Sequence, residues 1–511
     1  MTGDNMVAHI DTISFCGLNT ETVDVQVHIG DGLPSFQIVG LADKAVSEAK
    51  ERIRSSLSSM GLSLPPKRIT VNLSPANMLK EGSHYDLPIA LGLLCAMDVI
   101  DMEQASEYVA MGELSLDGGL VPVAGILPGA VHSNSLDKGF ICPKPCGGEA
   151  MWAGEDTKVL APNNLLELIN HLKGDQLLPQ PNITAPNIKE EIEYDLKDIK
   201  GQESAKRAME ICATGGHNLL MVGPPGSGKS MLAERLPSIL PSLSPAEALD
   251  VSIIYSVAGM LSDGSLITKR PFRKPHFGAS SPALIGGGTK AKPGEISLAH
   301  NGVLFLDEMP EFSRNSLEAL RQPIETGNAV IARANAHITY PANFQLVGAM
   351  NPCRCGDVDN ITTFCRRGEK CSLDYQSKIS GPMYDRFDMF IEVPAVSVSD
   401  LSLPSAVEGS KQVASRVRNG RDFSIKRFND MGMKNIYKNS DLNVSQLEQM
   451  VDLDNECRKI INDASQKLSL TARSYHRVLK VARTIADLEY CVNVNKDHIL
   501  EALSYRKKRV S

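Results

Sequence analysis

Alternating apolar and polar residues mark the first part of the chain. Residues 22–29 (TVDVQVHI) and 68–73 (RITVNL) alternate as half-buried β-strands do. Between them, apolar residues recur at steps of three and four, which predicts an amphipathic helix. Asp43 is a suitable N-cap for that helix, and Gly61 is a suitable stop. The pattern therefore predicts a packed α+β domain.

The pattern changes twice further along the chain. Residues 174–195 mix proline, asparagine and acidic residues without periodicity, which is typical of a linker. Residues 218–222 (NLLMV) form a short apolar run before a glycine loop, and a helical pattern follows at 231–240. Helical spacing returns over residues 444–505. We therefore predict four regions, at 1–173, 174–195, 196–395 and 396–511, the last of them a helical lid.

Composition limits the classes of protein that the chain can belong to. With 511 residues it is too long for one core at about 150 residues per domain. Hydrophobic residues make up 42% and charged residues 22%, as in ordinary globular proteins. The longest apolar stretch, residues 87–100, contains Asp98 and is shorter than the ~20 residues that span a bilayer. No signal peptide is evident, so we expect a cytoplasmic protein without membrane contact.

Charge and cysteine content narrow the choice further. The net charge of −7 provides no global positive field to attract nucleic acid, so any such contact requires a local basic surface. Eleven cysteines in a chain without an export signal are expected to be free thiols or metal ligands rather than disulfides.

The glycine loop after residue 222 carries a phosphate-binding motif. It matches G-x-x-x-x-G-K-[ST], in which backbone N–H groups surround phosphates. Lys229 is predicted to reach the β- and γ-phosphates of ATP, and Ser230 to ligate Mg²⁺. The predicted nucleotide-binding residues are Gly223, Pro224, Pro225, Gly226, Ser227, Gly228, Lys229 and Ser230.

A second group of polar residues follows two further apolar runs. Residues 303–306 (VLFL) end in Asp307 and Glu308. We predict that Asp307 holds Mg²⁺ and that Glu308 polarises the attacking water. Residues 344–350 lead to Asn351, which is suited to orienting that water. Phosphoryl transfer needs positive groups at the γ-phosphate, and Arg386 and Arg473 are the candidates.

Seven segments of the chain match a known family: FQIVGLADKAVSEAKERIRSSL, KRITVNLSPA, KEGSHYDLPIALGLL, GGHNLLMVGPPGSGKSMLAERLPSILP, PGEISLAHNGVLFLDEMPEF, YPANFQLVGAMNPCRCG and LTARSYHRVLKVARTIADLE. With these segments the chain resembles the ComM/YifB family, in the magnesium-chelatase-like branch of AAA+ ATPases. The resemblance implies an α/β P-loop AAA+ core with a C-terminal helical lid. It also implies Walker A roles for Lys229 and Ser230, Walker B roles for Asp307 and Glu308, and sensor 1 for Asn351. Arg386 would be an arginine finger that serves the neighbouring subunit of a homohexamer, and Arg473 would be sensor 2.

The resemblance also concerns the flanking features. It implies a helix-2 insert around residues 269–288 and a hairpin before sensor 1 around 328–340. The first domain resembles the Lon protease domain, which uses a serine and a lysine. Here Asp86 falls at the position of the serine, and residues 119–131 contain no lysine. Ser83 lies nearby, but a serine without a base is a weak nucleophile. A non-proteolytic domain is therefore expected.

Four cysteines, Cys353, Cys355, Cys365 and Cys371, follow Asn351 closely. Four thiolates can complete a tetrahedral Zn²⁺ shell. The C-x-C spacing is atypical of a zinc ribbon, which usually has C-x₂-C pairs. Two alternatives remain, a zinc site and four free, partly buried thiols.

Three functions share the predicted ATP site. The resemblance implies a DNA motor that promotes branch migration in homologous recombination, including natural transformation, with recombination proteins as further partners. A basic cluster interleaved with aromatics (Lys269, Arg270, Arg273 and Lys274) and the pair Arg333 and Asn335 near the hairpin tip are the candidate DNA contacts. The alternatives are a chelatase-type motor that remodels a protein partner and an ATP-gated scaffold. The presence of Glu308 argues against the scaffold, because a scaffold does not need a water-activating carboxylate.

Overall fold

The computed structural model describes residues 7–183, 194–261, 264–288, 291–332, 337–355, 369–396, 408–468 and 470–506. Among these residues, no helix combines the length and the apolar character that crossing a membrane requires.

A mixed β-sheet with helices packed on it forms the N-terminal region. The strands of this region are β1 (Ala8–Cys16), β2 (Asn19–Gly30), β3 (Ser35–Val39), β4 (Arg68–Ser74), β5 (Tyr108–Ala110), β6 (Glu113–Leu114), β7 (Leu120–Val121), β8 (Gly139–Ile141) and β9 (Val159–Leu160), of which β6 and β7 form a separate two-stranded sheet. Its helices are α1 (Lys44–Ser59), α2 (Asp86–Ala96), α3 (Met102–Ser106), α4 (Ile126–Ser135), α5 (Gly147–Ala150) and α6 (Leu165–Leu172). The main sheet has the order β3-β4-β2-β1-β5-β8-β9. Helix α2 is buried over almost its whole length and packs on β1 and β2.

The local predictions for this region are confirmed. The strands predicted at residues 22–29 and 68–73 lie within β2 and β4, and the predicted helix is α1. Asp43 caps α1, since its Oδ1 accepts a hydrogen bond from the Val46 N–H at 2.8 Å. The likeness to the Lon fold stays a prediction, as do the domain boundaries, and residues 184–193 of the predicted linker lie outside the described residues.

A five-stranded parallel sheet forms the centre of the molecule. The strands of this region are β10 (Leu219–Val222), β11 (Phe272–Arg273), β12 (Gly286–Gly287), β13 (Lys292–Pro293), β14 (Val303–Leu306), β15 (Asn328–Ala332), β16 (His337–Pro341), β17 (Gln345–Met350) and β18 (Met389–Glu392). The sheet order is β11-β14-β17-β10-β18, so β10 lies between two strands from later in the chain. Ligands bind at the carboxyl ends of strands where such a sheet reverses its order, and β10 ends there.

Short helices surround this sheet, and longer ones form the C-terminal region. The central helices are α7 (Glu203–Gly215), α8 (Lys229–Arg235), α9 (Pro245–Ala258), α10 (Ser281–Ile285), α11 (Glu295–Leu298), α12 (Arg314–Ala319), α13 (Arg321–Thr326), α14 (Glu369–Gln376) and α15 (Gly381–Tyr384). The C-terminal helices are α16 (Ser410–Asp430), α17 (Val444–Met450), α18 (Asn455–Lys467), α19 (Ala472–Leu488) and α20 (Lys496–Ser504). A single apolar cluster joins one face of the sheet to these C-terminal helices.

Two helix predictions differ from the structure. The helix predicted at 231–240 is α8, which ends at Arg235, and a 3₁₀ turn (Leu236–Ser238) follows because Pro237 cannot continue an α-helix. Helical structure in the C-terminal region begins with α16, well before residue 444. Helix α16 buries Val413, Val417 and Phe428, but Gly420, Arg421 and Ser424 interrupt the apolar stripe on its inner face.

The N-terminal region contacts the central region through buried polar groups. Ser256, on α9, donates a hydrogen bond to Glu149 Oε1 at 2.6 Å, and the Leu127 N–H donates to the same oxygen at 2.9 Å. Burial raises the pKa of the Glu149 carboxyl, and these two donors oppose that rise. Gly17, in the β1–β2 turn, packs so closely on Ile338 of β16 that a Cβ there would lie 2.6 Å from the Ile338 side chain. The N-terminal region therefore contacts the β15–β16 hairpin directly.

Candidate nucleotide site

The glycine loop connects β10 to α8 at the carboxyl edge of the parallel sheet. Gly226 and Gly228 have φ of +76° and +89°, in the left-handed region that favours glycine. A Cβ at either position would meet no atom within 4 Å, so the loop backbone borders open space. At Gly223 the reason for glycine differs, because a Cβ there would lie 2.1 Å from the Val393 carbonyl oxygen. The loop is therefore closely packed at Gly223 and open to solvent at Gly226 and Gly228, where its backbone can surround a phosphate group.

Lys229 is nearly buried, and its ammonium group points back into this loop. Its Nζ donates hydrogen bonds to the carbonyl oxygens of Gly223 and Pro224, both at 2.7 Å. It also lies 3.3 Å from Ser227 Oγ and 3.3 Å from Asn351 Oδ1. Burial lowers the pKa of Lys229, while the negative charges of nearby carboxylates oppose that effect.

Ser230 and Asp307 meet beside Lys229. The Ser230 hydroxyl donates a hydrogen bond to Asp307 Oδ2 at 2.8 Å. Asp307 follows β14, whose residues are all fully buried, and its Oδ1 accepts from the Glu308 N–H at 3.0 Å. Glu308 itself is exposed and has a φ of +48°, unusual for a residue with a side chain. A serine hydroxyl and a carboxylate are oxygen ligands of the kind that Mg²⁺ prefers.

The two candidate arginines, Arg386 and Arg473, both form an ion pair with Glu325, which the sequence analysis did not identify. Arg386 Nη2 lies 2.8 Å from Glu325 Oε1, and Arg473 Nη2 lies 2.9 Å from the same oxygen. Arg386 is buried, and burial lowers the pKa of its guanidinium. Glu325 is the penultimate residue of α13, and no motif in the sequence pointed to it.

Three of the four basic residues of the predicted helix-2 insert form ion pairs with acidic residues of the same chain. Arg270 pairs with Glu247 at 3.2 Å, and Arg273 forms two hydrogen bonds with Glu295, at 2.7 and 2.9 Å. Lys274 Nζ lies 3.3 Å from Asp307 Oδ2, inside the candidate nucleotide site. Arg270, Arg273 and Lys274 therefore have ion-pair partners within the chain, and their predicted DNA contacts stay predictions.

The remaining predicted DNA contacts fall in two places. Lys269 is exposed. Arg333 and Asn335 lie outside the described residues, between strands β15 and β16, which pair as an antiparallel hairpin. The predicted hairpin is confirmed, while the DNA role of its tip stays a prediction.

Three of the four clustered cysteines are described. Cys355 Sγ and Cys371 Sγ lie 3.9 Å apart, and Cys353 packs against Cys371 in a small buried cluster. Cys365 lies outside the described residues. Zinc binding is therefore still a prediction, with free thiols as the alternative.

Within the described part of the chain, Glu489, Cys491 and His498 also come close enough to share a metal ion. However, His498 Nδ1 accepts a hydrogen bond from the Asn495 N–H at 3.1 Å, and its Nε2 lies 3.0 Å from Glu489 Oε2. Both ring nitrogens of His498 therefore have hydrogen-bond partners. His498 and Asn495 together cap the N-terminus of α20, which accounts for the position of His498 without a metal ion.

Two acidic residues, Asp86 and Glu113, lie near the position that the resemblance to the Lon protease domain assigns to a serine. Asp86 is fully buried and paired with Arg52, whose Nε lies 2.6 Å from Asp86 Oδ2 and whose Nη2 lies 2.9 Å from Oδ1. Ser83 donates a hydrogen bond to Glu113 and borders a cleft of about 980 Å³ between the N-terminal region and the hairpin. Asp86 thus forms a structural ion pair.

Comparisons with known proteins agree with this architecture. Models for "Magnesium chelatase, subunit ChlI", "Subunit ChlI of Mg-chelatase" and "Magnesium chelatase, subunit ChlI C-terminal" match residues 195–401, 25–145 and 407–506. Competence protein ComM of Haemophilus influenzae is 42% identical, over 96% of this chain and 95% of that protein. YifB of Escherichia coli is 40% identical, over 97% and 96%. The magnesium-chelatase 38 kDa subunit of Rhodobacter capsulatus is 26% identical, over 62% of this chain and 88% of that protein.

Proposed function

Since the chain belongs to the ComM/YifB family of magnesium-chelatase-like ATPases, we propose that it is a ring-forming DNA motor. In this proposal, six subunits hydrolyse ATP and move branched DNA in homologous recombination, including the recombination of DNA taken up by competent cells. A relative named as a competence protein, similar over nearly the whole chain, supports the DNA substrate.

The contact between Ser230 and Asp307 carries the ATP part of the proposal. Their oxygen atoms are 2.8 Å apart, at the edge of a loop whose two left-handed glycines border open space. An ammonium group, a hydroxyl and a carboxylate fit the phosphates of ATP and a Mg²⁺ ion. Ser230 and Asp307 would hold the Mg²⁺ ion, which would supply positive charge to neutralise the phosphate oxygens.

The residues of the chain would then perform four tasks. Lys229 exchanges the carbonyl oxygens of Gly223 and Pro224 for phosphate oxygens, because an anionic phosphate oxygen attracts an ammonium group more strongly than a neutral carbonyl oxygen does. Asn351, already 3.3 Å from Lys229 Nζ, orients the attacking water. Glu308 accepts a proton from that water. Arg386, held beside Glu325, neutralises developing charge in the neighbouring subunit's site.

A chelatase-type motor is the second candidate function. The fraction of this chain that is similar to ComM and to the chelatase subunit distinguishes it from the DNA motor. A family model named for the chelatase subunit matches residues 25–145, so the N-terminal region by itself favours neither function. The similarity to ComM extends over 96% of this chain, whereas that to the chelatase subunit extends over 62%. The near-complete match favours the DNA motor.

Substrate-dependent ATP hydrolysis tests the proposal. The rate is measured without polymer, with single-stranded DNA, with four-way DNA, and with a porphyrin plus its chelatase partner, using Glu308→Gln as the inactive control. We expect stimulation by DNA, strongest with the branched form. Stimulation only by the porphyrin arm would favour the chelatase-type motor. An equal rate in every arm would favour the ATP-gated scaffold.

A further inference from the structure

Lys274 reaches the candidate nucleotide site from a neighbouring strand. It directly follows β11, which pairs in parallel with β14 through Phe272↔Val303 and Arg273↔Leu304. Continuing this register by one residue places Lys274 opposite Phe305, two positions before Asp307, and both Lys274 and Asp307 lie at the same edge of the parallel sheet. The Lys274 ammonium lies 3.3 Å from Asp307 Oδ2 and stands 5.3 Å above the centre of the Phe305 ring.

A second carboxylate approaches the same ammonium group. Glu234 Oε1 lies 3.4 Å from Lys274 Nζ. Glu234 follows Ser230 by four residues on α8, so the two side chains lie on one face of that helix. Asp307 Oδ2 is therefore next to both the Ser230 hydroxyl and the Lys274 ammonium, and Glu234 adds a second negative charge.

We propose that Lys274 is a positioning residue of the ATP site, whose ammonium balances Asp307 and Glu234 until a divalent cation arrives. This inference rests on the proposed ATP function. Two carboxylates beside a phosphate cradle repel the phosphate oxygens of ATP unless a cation lies between them. Mg²⁺ provides that cation in the loaded site, and Lys274 provides it when Mg²⁺ is absent. Lys274 thereby acts on ATP through the carboxylates rather than by touching phosphate.

The contribution of Lys274 to ATP affinity should differ between metal-free buffer and excess Mg²⁺. Without Lys274, ATP should meet two uncompensated carboxylates in metal-free buffer, and its affinity should fall. In excess Mg²⁺ the divalent ion should compensate for the loss, and the affinity should barely change. A lysine that touches phosphate would contribute in both buffers, and a surface ion pair would contribute in neither.

Equilibrium binding of a fluorescent ATP analogue to the full chain tests this, once in EDTA and once in saturating Mg²⁺. For Lys274→Met we expect a loss of about tenfold in EDTA and of less than about twofold in Mg²⁺, as a Coulomb interaction at partly exposed positions would produce. Lys274→Arg keeps the charge and should stay within about twofold of wild type in both buffers. Adding Glu234→Gln to Lys274→Met removes one carboxylate and should recover most of the lost affinity in EDTA.

Each other outcome has a definite meaning. Equal losses in both buffers would overturn the inference in favour of direct phosphate contact, and no loss in EDTA would overturn it in favour of a surface ion pair. If Lys274→Met fails to fold by thermal melting, Glu234→Gln alone decides, because it should strengthen binding in EDTA and leave binding in Mg²⁺ unchanged. Failure of wild type to bind the analogue in either buffer would refute the ATP function itself.

Discussion

Arg386 and Arg473 bind the same oxygen atom, Glu325 Oε1, at 2.8 and 2.9 Å. The two guanidinium groups therefore face one site, although 87 positions separate them in the sequence. Like charges at this separation repel each other, and the carboxylate between them offsets the repulsion. Glu325 thus holds the proposed finger and the proposed sensor 2 as one unit.

Glu325→Gln should remove the ion pairs that hold Arg386 and Arg473 together. Removing the acid leaves a buried Arg386 beside Arg473, so we expect a loss of roughly 1–2 kcal/mol in the free energy of unfolding. We also expect ATP hydrolysis by the assembled ring to fall at least about fivefold, because the arginines are no longer aligned. Glu318→Gln is the matched control, since Glu318 pairs with Arg321 on the neighbouring helix. Equal effects of the two variants on hydrolysis would contradict a positioning role for Glu325.

Glu308→Gln should bind ATP and assemble like wild type, because the amide keeps the shape of the side chain. Hydrolysis should fall by about 10²-fold or more, the usual scale for a lost general base. Glu311→Gln, which removes an acid that pairs with Lys378 at 3.3 Å, should hydrolyse ATP normally. Filter binding measures ATP affinity, and phosphate release measures turnover. Wild-type turnover by Glu308→Gln would remove Glu308 from the mechanism.

Arg386→Ala should leave ATP binding by the isolated subunit intact while ring hydrolysis collapses, since the finger is proposed to act on the neighbouring site. Mixing it with Lys229→Ala subunits should restore part of the activity. Some interfaces would then pair an intact Lys229 with an intact Arg386. Mixed rings are verified by native mass spectrometry. Absence of recovery at every mixing ratio would argue against action across the interface.

Arg333→Ala tests whether the hairpin holds DNA. Basal hydrolysis should stay near wild type, while DNA stimulation and branch movement fall sharply. Because phosphate contacts release counterions, the remaining DNA affinity of the variant should depend less on salt. Lys459→Ala, on the exposed face of α18, is the control. Normal branch movement by Arg333→Ala at both low and high salt would assign Arg333 to an ordinary surface hairpin.

Stability should fall in mild acid because of a histidine beneath the C-terminal helices. His217 is fully buried, and burial lowers its pKa to about 4 from the usual 6.5. Between these values the unfolded chain binds a proton that the folded chain does not bind. Unfolding therefore becomes easier as the pH drops below 6.5, up to a limit near pH 4.

At pH 5.5 we expect His217 to cost roughly 1 kcal/mol of unfolding free energy relative to pH 7.5. Urea titrations followed by circular dichroism at the two pH values measure the loss. His217→Gln should reduce the difference by about that amount. His300, whose pKa burial also lowers to about 4, should account for part of the remaining slope. An unchanged slope in His217→Gln would show that His217 is accessible to protons in the folded state.

Local sequence determined the glycine loop, the strands before and after it, and the cap of α1. The loop and the cap depend on residues a few positions apart, such as Asp43 and Val46, and continuous apolar runs mark the strands, so the local pattern predicts all of them. The family resemblance likewise came from contiguous segments. Helix α16 was missed because its buried face includes an arginine, whose guanidinium donates to the Thr214 carbonyl at 3.1 Å. The spacing of apolar residues along the chain cannot predict a contact between a buried arginine and a distant backbone carbonyl.

The tertiary structure alone decided which charges meet. Lys274 belonged by sequence to a basic cluster suited to DNA, yet the pairing of β11 with β14 places it on Asp307. Glu325 carries no motif, yet the packing of three distant segments brings Arg386 and Arg473 to it. A charge has no directional or periodic signature along the chain, and its partner depends on how strands and helices are arranged in space. The sequence therefore specified the phosphate loop, whereas the fold specified the ion pairs around it.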